Sequence, residues 1–512
     1  MSPIAHIQRL SSIVRSREPA MAKDTARSIT RLSPAPGSEA YRWLRAAVFV
    51  LLAGFWVGSG TGIVSSNDGS HLALARALAL YREVHIDPEA ALTLRVDLAQ
   101  RRGHFYSDRP PGTAFLALPA VLIGHGFDGR LLRGSRRRNE MMTPTASAPF
   151  ERTYYHRGHR PPLLVLMLGS ILAACLQSVA MGLVALACLW HLLERRGVDL
   201  WGCIFAVLAL GLGSLLGPYS TALFSHSTAA ALVAIVLVAI DHLNGDVSRR
   251  GPGLRRPEVL WTLLLGLAGG WASATDYLLV VVMVPLTMSS VRWRRWWLLW
   301  LGALPIVVAT LIYHDLAFGS PFSLGYDHHA NFKFARDRWT TFDGSLLTGF
   351  WVQWGLGKSA GLLAQSPIAF LGLCGTIASC FVGGRSKRPR GAVRLAMWLP
   401  WILLLCLHRT PEGGQGVDHR YLIPIMPVAG LGLGALWTFC SGRRWLQSTL
   451  VGLAGGSAML VWPSFLAWHE TDFFSNAKIG LIAAMVLSAL IVVPRILEYG
   501  FGSDEDPSRG SA

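Results

Sequence analysis

The sequence predicts an all-α polytopic membrane protein, on three observations. The chain of 512 residues is 52% hydrophobic and only 15% charged, with 19 Trp. Its apolar residues recur in blocks long enough to cross a bilayer. Short basic clusters alternate with those blocks in one consistent phase. A soluble fold would leave every block to be explained separately.

The apolar runs fall at 44–64, 162–190, 199–217, 219–241, 258–275, 277–291, 296–317, 360–383, 392–408, 421–440, 447–468 and 478–496, a bundle of about 12 transmembrane helices. Between them lie Arg195-Arg196, Arg249-Arg250 with Arg255-Arg256, the trio Arg292, Arg294 and Arg295, the basic stretch 385–390, and Arg443-Arg444. Each cluster separates an even-numbered run from the next odd one, so a cytoplasmic N-terminus places all of them inside. That phase requires that the apolar stretch 113–124 not cross. At roughly 12 residues it is well short of the ~20 a span needs, and it reads as an interfacial or re-entrant helix. Residues 65–160 then form one large external loop with amphipathic helices, and 318–358 a second long one. The short runs 258–275 and 277–291 flank Asp276 as two thin spans or as a broken hairpin.

The domain organisation follows. Residues 1–43 read as a disordered basic cytoplasmic arm, 44–499 as the transmembrane domain and 500–512 as a cytoplasmic tail. No secretory core precedes the first run, and Met21 offers an internal start, since the fold needs nothing before it. The formal net charge of +17 sits largely in the inter-span clusters, which suits anchoring to anionic lipid and argues against nucleic acid. All 7 cysteines lie in or beside apolar runs without zinc-like pairing. No cofactor is read from the sequence, and a divalent metal is left open. His328 and His329 are adjacent without a carboxylate at helical spacing, a pattern more typical of a polar loop than of a metal site.

Three constellations carry candidate chemistry. The stretch SSNDGSHLALARALALYRE, 65–83, starts an amphipathic helix at the end of the first run, with Asp68 at its head. Asn67 or Asp68 acting simply as the N-cap explains a short polar residue there equally well. In YSDRPPGTAFLALP, 106–119, the pair Asp108-Arg109 precedes two prolines that fix an extended approach to the next helix. Ordinary turn punctuation and a lipid-phosphate contact are the plainer explanation. The third group is Tyr219, Ser225 and His226, then Lys358, then Asp418, His419, Arg420 and Tyr421, each at the external end of a run. Any one of them is ordinary interfacial polarity; their convergence on one face is the signal. A carboxylate facing basic groups suits attack of an acceptor hydroxyl on a sugar carbon that bears a phosphate leaving group. Such a leaving group needs little help from a general acid, so the paired carboxylates of a glycosidase are not required.

The order of these motifs resembles the lipid-dependent membrane glycosyltransferases of the GT-C class, in the bacterial branch related to protein mannosyltransferases and lipid A aminoarabinose transferases, a glycosyltransferase family 39-like group. An acidic residue follows the first run (Asp68), Pro110-Pro111 opens a juxtamembrane helix, a Tyr-Ser then Phe-Ser-His turn follows the third run, and an Arg-Tyr then Pro segment opens the tenth. The resemblance spans about residues 44–440 and implies a GT-C-like bundle. It implies Asp68 as catalytic base and Arg109 as a donor-phosphate contact. Asp108 is the candidate second catalytic carboxylate, with Asp276 behind it. His71, Tyr106, His226, Lys358 and Arg420 are further substrate-binding candidates. Two departures stand out: many relatives have Asp-Glu where this chain has Asp68-Gly69, and a lysine where it has Arg109.

The expected activity is transfer of a hexosyl or pentosyl group from a polyprenyl-phosphate donor to an envelope glycan, lipid or protein. It is expected on the external face of a bacterial cytoplasmic membrane, with membrane lipid as the surrounding partner. The alternatives are a transporter or flippase of lipid-linked intermediates, which would show repeats around a mid-membrane break, and a non-catalytic scaffold of the same fold.

Overall fold

A computed structural model describes residues 37–60, 62–63, 65–128, 168–245, 256–355, 361–382, 388–411 and 419–468. Most of the basic arm, the later part of the first loop, Lys358, Asp418, the run 478–496 and the tail 500–512 lie outside the described residues.

Helix α1, Glu39–Gly58, begins where the Ser38 hydroxyl accepts the Tyr41 N–H and Glu39 faces the helix dipole. Tyr41, Leu44, Val48, Leu52 and Trp56, three or four residues apart, form its buried stripe, while Trp43, Val50 and Val57 point outward, each more than half exposed. Apolar side chains on both faces of a helix are what a lipid surround demands. The same two-sided pattern recurs along the chain.

After α1 comes α2, Ser66–Arg76, which continues as a π turn, Ala77–Tyr81. A 3-10 turn, Asp87–Thr93, leads to the antiparallel pair β1, Ala99–Arg101, and β2, His104–Tyr106, in which Ala99 faces Tyr106. Helix α3 is Gly112–His125. The longer helices that follow are α4, Leu168–Arg195; α5, Leu200–Gly213; α6, Ser225–Gly245; α7, Arg256–Thr275; α8, Val280–Ser290; α9, Trp296–Phe318; α10, Pro367–Val382; α11, Leu399–Leu407; α12, Met426–Phe439; and α13, Arg444–Trp468.

Among the described residues five helices are long and apolar enough to cross a membrane by length and composition, and five more are apolar but of 10–17 residues. The protein is therefore a polytopic helical membrane protein. The run 199–217 appears as the 14-residue α5, closed when Ser214 turns extended, with a short helix Leu216–Tyr219 beyond it. The run 392–408 divides into Arg388–Ala396 and α11, with Pro400 in the first turn of the latter.

Lipid removes the hydrophobic drive between helices, so close packing of small residues holds them. A Cβ on Gly432 of α12 would lie 1.8 Å from the Gly372 carbonyl of α10, which leaves room for hydrogen only.

The first loop is fastened by a buried ion network. Arg76 of α2 bonds Glu89 Oε1 at 2.9 Å, Asp128 Oδ2 at 2.8 Å and the Ser170 hydroxyl of α4 at 2.6 Å. A guanidinium with this many oriented acceptors offsets its desolvation, and removing one partner would strand the rest. The second loop is stitched to the first: Ala99 of β1 forms an antiparallel bridge with His329, and Ala330 N–H donates to Leu98 O at 2.9 Å. Asn331 Nδ2 donates to the Arg95 and Val96 carbonyls at 2.7 and 2.8 Å.

Candidate active site

Helix α2 is built from its first residue to hold polar groups. Ser65 is the N-cap in extended conformation, and its N–H and hydroxyl donate to Asp68 Oδ1 at 2.8 and 2.7 Å. Gly69 N–H adds a third contact to the same oxygen at 3.2 Å. The cap is thus Ser65, not Asn67 or Asp68, and Asp68 is the third helical residue of a capping box. Its carboxylate is fully buried.

One helical turn apart on α2, Ser66 and Ser70 share a face. Ser66 donates to Asp97 Oδ2 at 2.5 Å. Ser70 lies 2.9 Å from the Ser107 hydroxyl and donates to Asp108 Oδ1 at 3.3 Å. Arg109 joins the two carboxylates: Nη2 sits 2.7 Å from Asp97 Oδ1, and Nε 3.4 Å from Asp108 Oδ2.

His329 closes the cluster from the second loop, with Nε2 3.6 Å from Asp108 Oδ2. Its Nδ1 accepts the Asn331 and Phe332 N–H groups at 3.1 Å each, which assigns the ring proton to Nε2 and aims it at Asp108. The second loop is held close here because a Cβ on Gly325 would come within 2.8 Å of the Asp108 carbonyl oxygen.

The electrostatics separate the two carboxylates. Burial pushes Asp97 up, but the Arg109 guanidinium and the Ser66 hydroxyl outweigh it and hold the group below its ordinary value. Asp108 is pushed up to about 7, by burial first and by neighbouring Asp97, against the pull of Arg109. Its Oδ2 is buried and has no hydrogen bond. His329 is lowered to about 4 by burial, reinforced by Arg109, and His71 to about 3 by burial and Arg109, so both rings are neutral at pH 7. Buried polar atoms without a bond ask for an explanation, and a bound ligand is one.

His226, at the start of α6, stands edge-on to Tyr219 and Tyr421 at 5.9 and 5.8 Å and lies in electrostatic range of Arg420, His71 and Arg109. Arg420 places its guanidinium 5.9 Å over Phe224 and 5.7 Å over Tyr421. Residues of α2, the Pro-Pro turn, α6 and the turn before α12 thus converge, and Asp108, Arg109, His71, His226 and Arg420 come together. Tyr106 instead packs 5.5 Å from Phe318 in a separate hydrophobic core. Asp276 caps the short turn ahead of α8, accepting the Leu278 N–H at 3.0 Å.

Asp97 and His329 are the residues that sequence reasoning missed. Asp97 is an acid between buried Val96 and Leu98. That setting is the one local signal for it. His329 is buried against Asp108 instead of serving as loop polarity. Asp97, Asp108 and His329 have the donor atoms of a cation site, but the Arg109 guanidinium already lies among them. The cluster fits that fixed cation, and a metal there would face its repulsion.

No family model and no curated protein matches the chain. Among solved structures it is similar to the crystal structure of ArnT from Cupriavidus metallidurans bound to undecaprenyl phosphate. The TM-score is 0.44 at 16% identity, over 90% of this chain and 77% of that one.

Proposed function

We propose that this chain is a GT-C-type inverting glycosyltransferase that uses a polyprenyl-phosphate sugar donor, working at the end of the bundle that carries both long loops. The observation that carries the reading is a buried carboxyl at Asp108, held near neutrality beside the Arg109 guanidinium. A base poised near the working pH is what deprotonation of a hydroxyl requires.

In the proposed reaction the acceptor oxygen bonds to the anomeric carbon while the bond from that carbon to the phosphate oxygen breaks. The electron pair leaves with the phosphate, and the hydroxyl proton passes to Asp108. Arg109 and Arg420 offset the charge that grows on the phosphate. Proton uptake by Asp108 relieves the excess of carboxylates around Arg109, which then has more charge to offer the leaving group.

Asp68 has a different part. An oxygen that already accepts three hydrogen bonds is a poor proton acceptor, and the geometry suits Asp68 to fixing α2, which carries Ser66, Ser70 and His71. The acceptor is an envelope glycan, lipid or protein, and the site faces the external side of a bacterial cytoplasmic membrane, consistent with the basic clusters lying opposite.

The test is turnover of a labelled lipid-linked sugar in membranes containing wild type, Asp108→Asn or Asp68→Asn at matched protein levels. Asp108→Asn is expected to lose at least ~100-fold, and Asp68→Asn less. Full turnover by Asp108→Asn would remove the assignment; a total loss confined to Asp68→Asn would return the base to Asp68.

A further inference from the structure

Away from this cluster, the turn that follows α2 and the strand β2 bring two imidazoles and a carboxylate to one point. His104 Nδ1 lies 2.6 Å from Asp87 Oδ2, and His85 Nδ1 lies 3.3 Å from the same oxygen. The three ligand atoms all fall within 4.8 Å of one another. The rings of His85 and His104 stack at 4.7 Å, which presents both Nδ1 atoms on one side. The other Asp87 oxygen accepts the Phe105 N–H at 2.6 Å, so the carboxylate is oriented before anything binds. On the far edge of His85, Nε2 faces Glu83 Oε2 at 3.3 Å. A carboxylate there draws the ring proton to Nε2 and leaves the Nδ1 lone pair turned toward Asp87, the usual support for a histidine that binds a metal. His85 Nδ1 is buried and has no hydrogen bond.

We propose that His85, Asp87 and His104 form a binding site for a late first-row divalent cation, with zinc the best fit, that ties β2 to the turn after α2. Two imidazole nitrogens and one carboxylate oxygen select zinc, nickel or copper over magnesium or calcium, which prefer oxygen. Tetrahedral bonds of ~2.0 Å set ligand atoms ~3.3 Å apart. The His85 to Asp87 pair already has that separation, and the His104 to Asp87 pair reaches it by opening roughly 0.7 Å from its 2.6 Å contact. The remaining coordination positions open to solvent, because the His104 side chain is 51% exposed and that of Asp87 33%. His104 opens β2 and stands four residues ahead of Asp108, which lies just beyond the end of that strand, so the cation acts as a clip on the segment that delivers Asp108 and Arg109. This site is independent of the glycosyl-transfer reading.

The full chain, purified in detergent without a histidine tag and stripped with a chelator, is titrated with zinc chloride, and with magnesium chloride for comparison. Bound metal and melting midpoint are read together. Wild type is expected to retain one zinc that His104→Ala does not, and to gain thermal stability from zinc but not from magnesium. Glu83→Gln should bind zinc about 10-fold more weakly. His104→Cys, which supplies a thiolate, should restore the zinc. If His104→Ala melts lower than wild type in metal-free buffer, His104→Gln takes its place. Equal zinc stoichiometry and affinity in wild type and the His104 variant, or no zinc retained by wild type, would overturn the site.

Discussion

Asp108→Asn is expected to stabilise the protein at pH 8 while it disables turnover. The variant keeps the shape of the side chain and removes one of two carboxylates that share Arg109, leaving a matched Asp97 to Arg109 pair at 2.7 Å. In the wild type the folded carboxyl titrates at about 7 against an ordinary value of 3.8. At ~1.36 kcal/mol per pH unit, ionising it in the folded state costs on the order of 4 kcal/mol. The sign follows from linkage: a carboxyl raised on folding contributes fully below pH 3.8, loses that contribution as pH climbs through about 7, and changes no further above it. The variant has no such loss, so its advantage should be absent at pH 4 and grow to a plateau by pH 8. The assay is the melting midpoint of each purified protein in one detergent, from pH 4 to pH 8, read as a difference. An Asp108→Asn variant less stable than wild type at pH 8, or one whose difference ignores pH, would refute the reasoning, because Asp108 would then be an ordinary paired carboxylate.

Other outcomes follow from the same geometry. Arg109→Lys keeps the charge but cannot reach Asp97 and Asp108 with two separate nitrogens as the guanidinium does, and kcat/KM for the lipid donor should fall about 100-fold. Gly325→Ala pushes a methyl to 2.8 Å from the Asp108 carbonyl oxygen; it should cost about 1–3 kcal/mol and depress turnover. Gly452→Ala, in open space on α13, should leave turnover unchanged. Asn331→Ala removes two bonds between the loops at about 1 kcal/mol each, and amide hydrogen exchange at Ala330 should quicken while that of α9 does not.

The membrane helices were legible because burial and lipid contact both demand apolar side chains, and a run of them survives without any knowledge of partners. Where they break was less so: the division at 392–408 depends on one proline and on local packing. The Asp108-Arg109-Pro-Pro string carried its own signal, since charge beside two prolines is rare in an apolar chain. Asp97 and His329 carried little, because their meaning comes from a contact between segments 230 residues apart that rests on a backbone bridge and the bonds of Ala330 and Asn331 beside it. The capping box was readable from Ser65 and Asp68, three positions apart, yet the same aspartate also suited a catalytic reading. Local sequence could not rank the two, because the three donors that meet on its Oδ1 are set by backbone geometry.

The bridge between Ala99 and His329 has a consequence for biogenesis. During synthesis the ribosome must pass residue 329, and α9 must already have been inserted, before the imidazole can meet Asp108. A nascent chain halted earlier holds two carboxylates and one guanidinium without the imidazole that faces Asp108. Insertion of α9 in the wrong direction would strand the two halves of the cluster on opposite sides of the bilayer. Completion of the cluster therefore doubles as a check that the second loop has been delivered to the same side as the first.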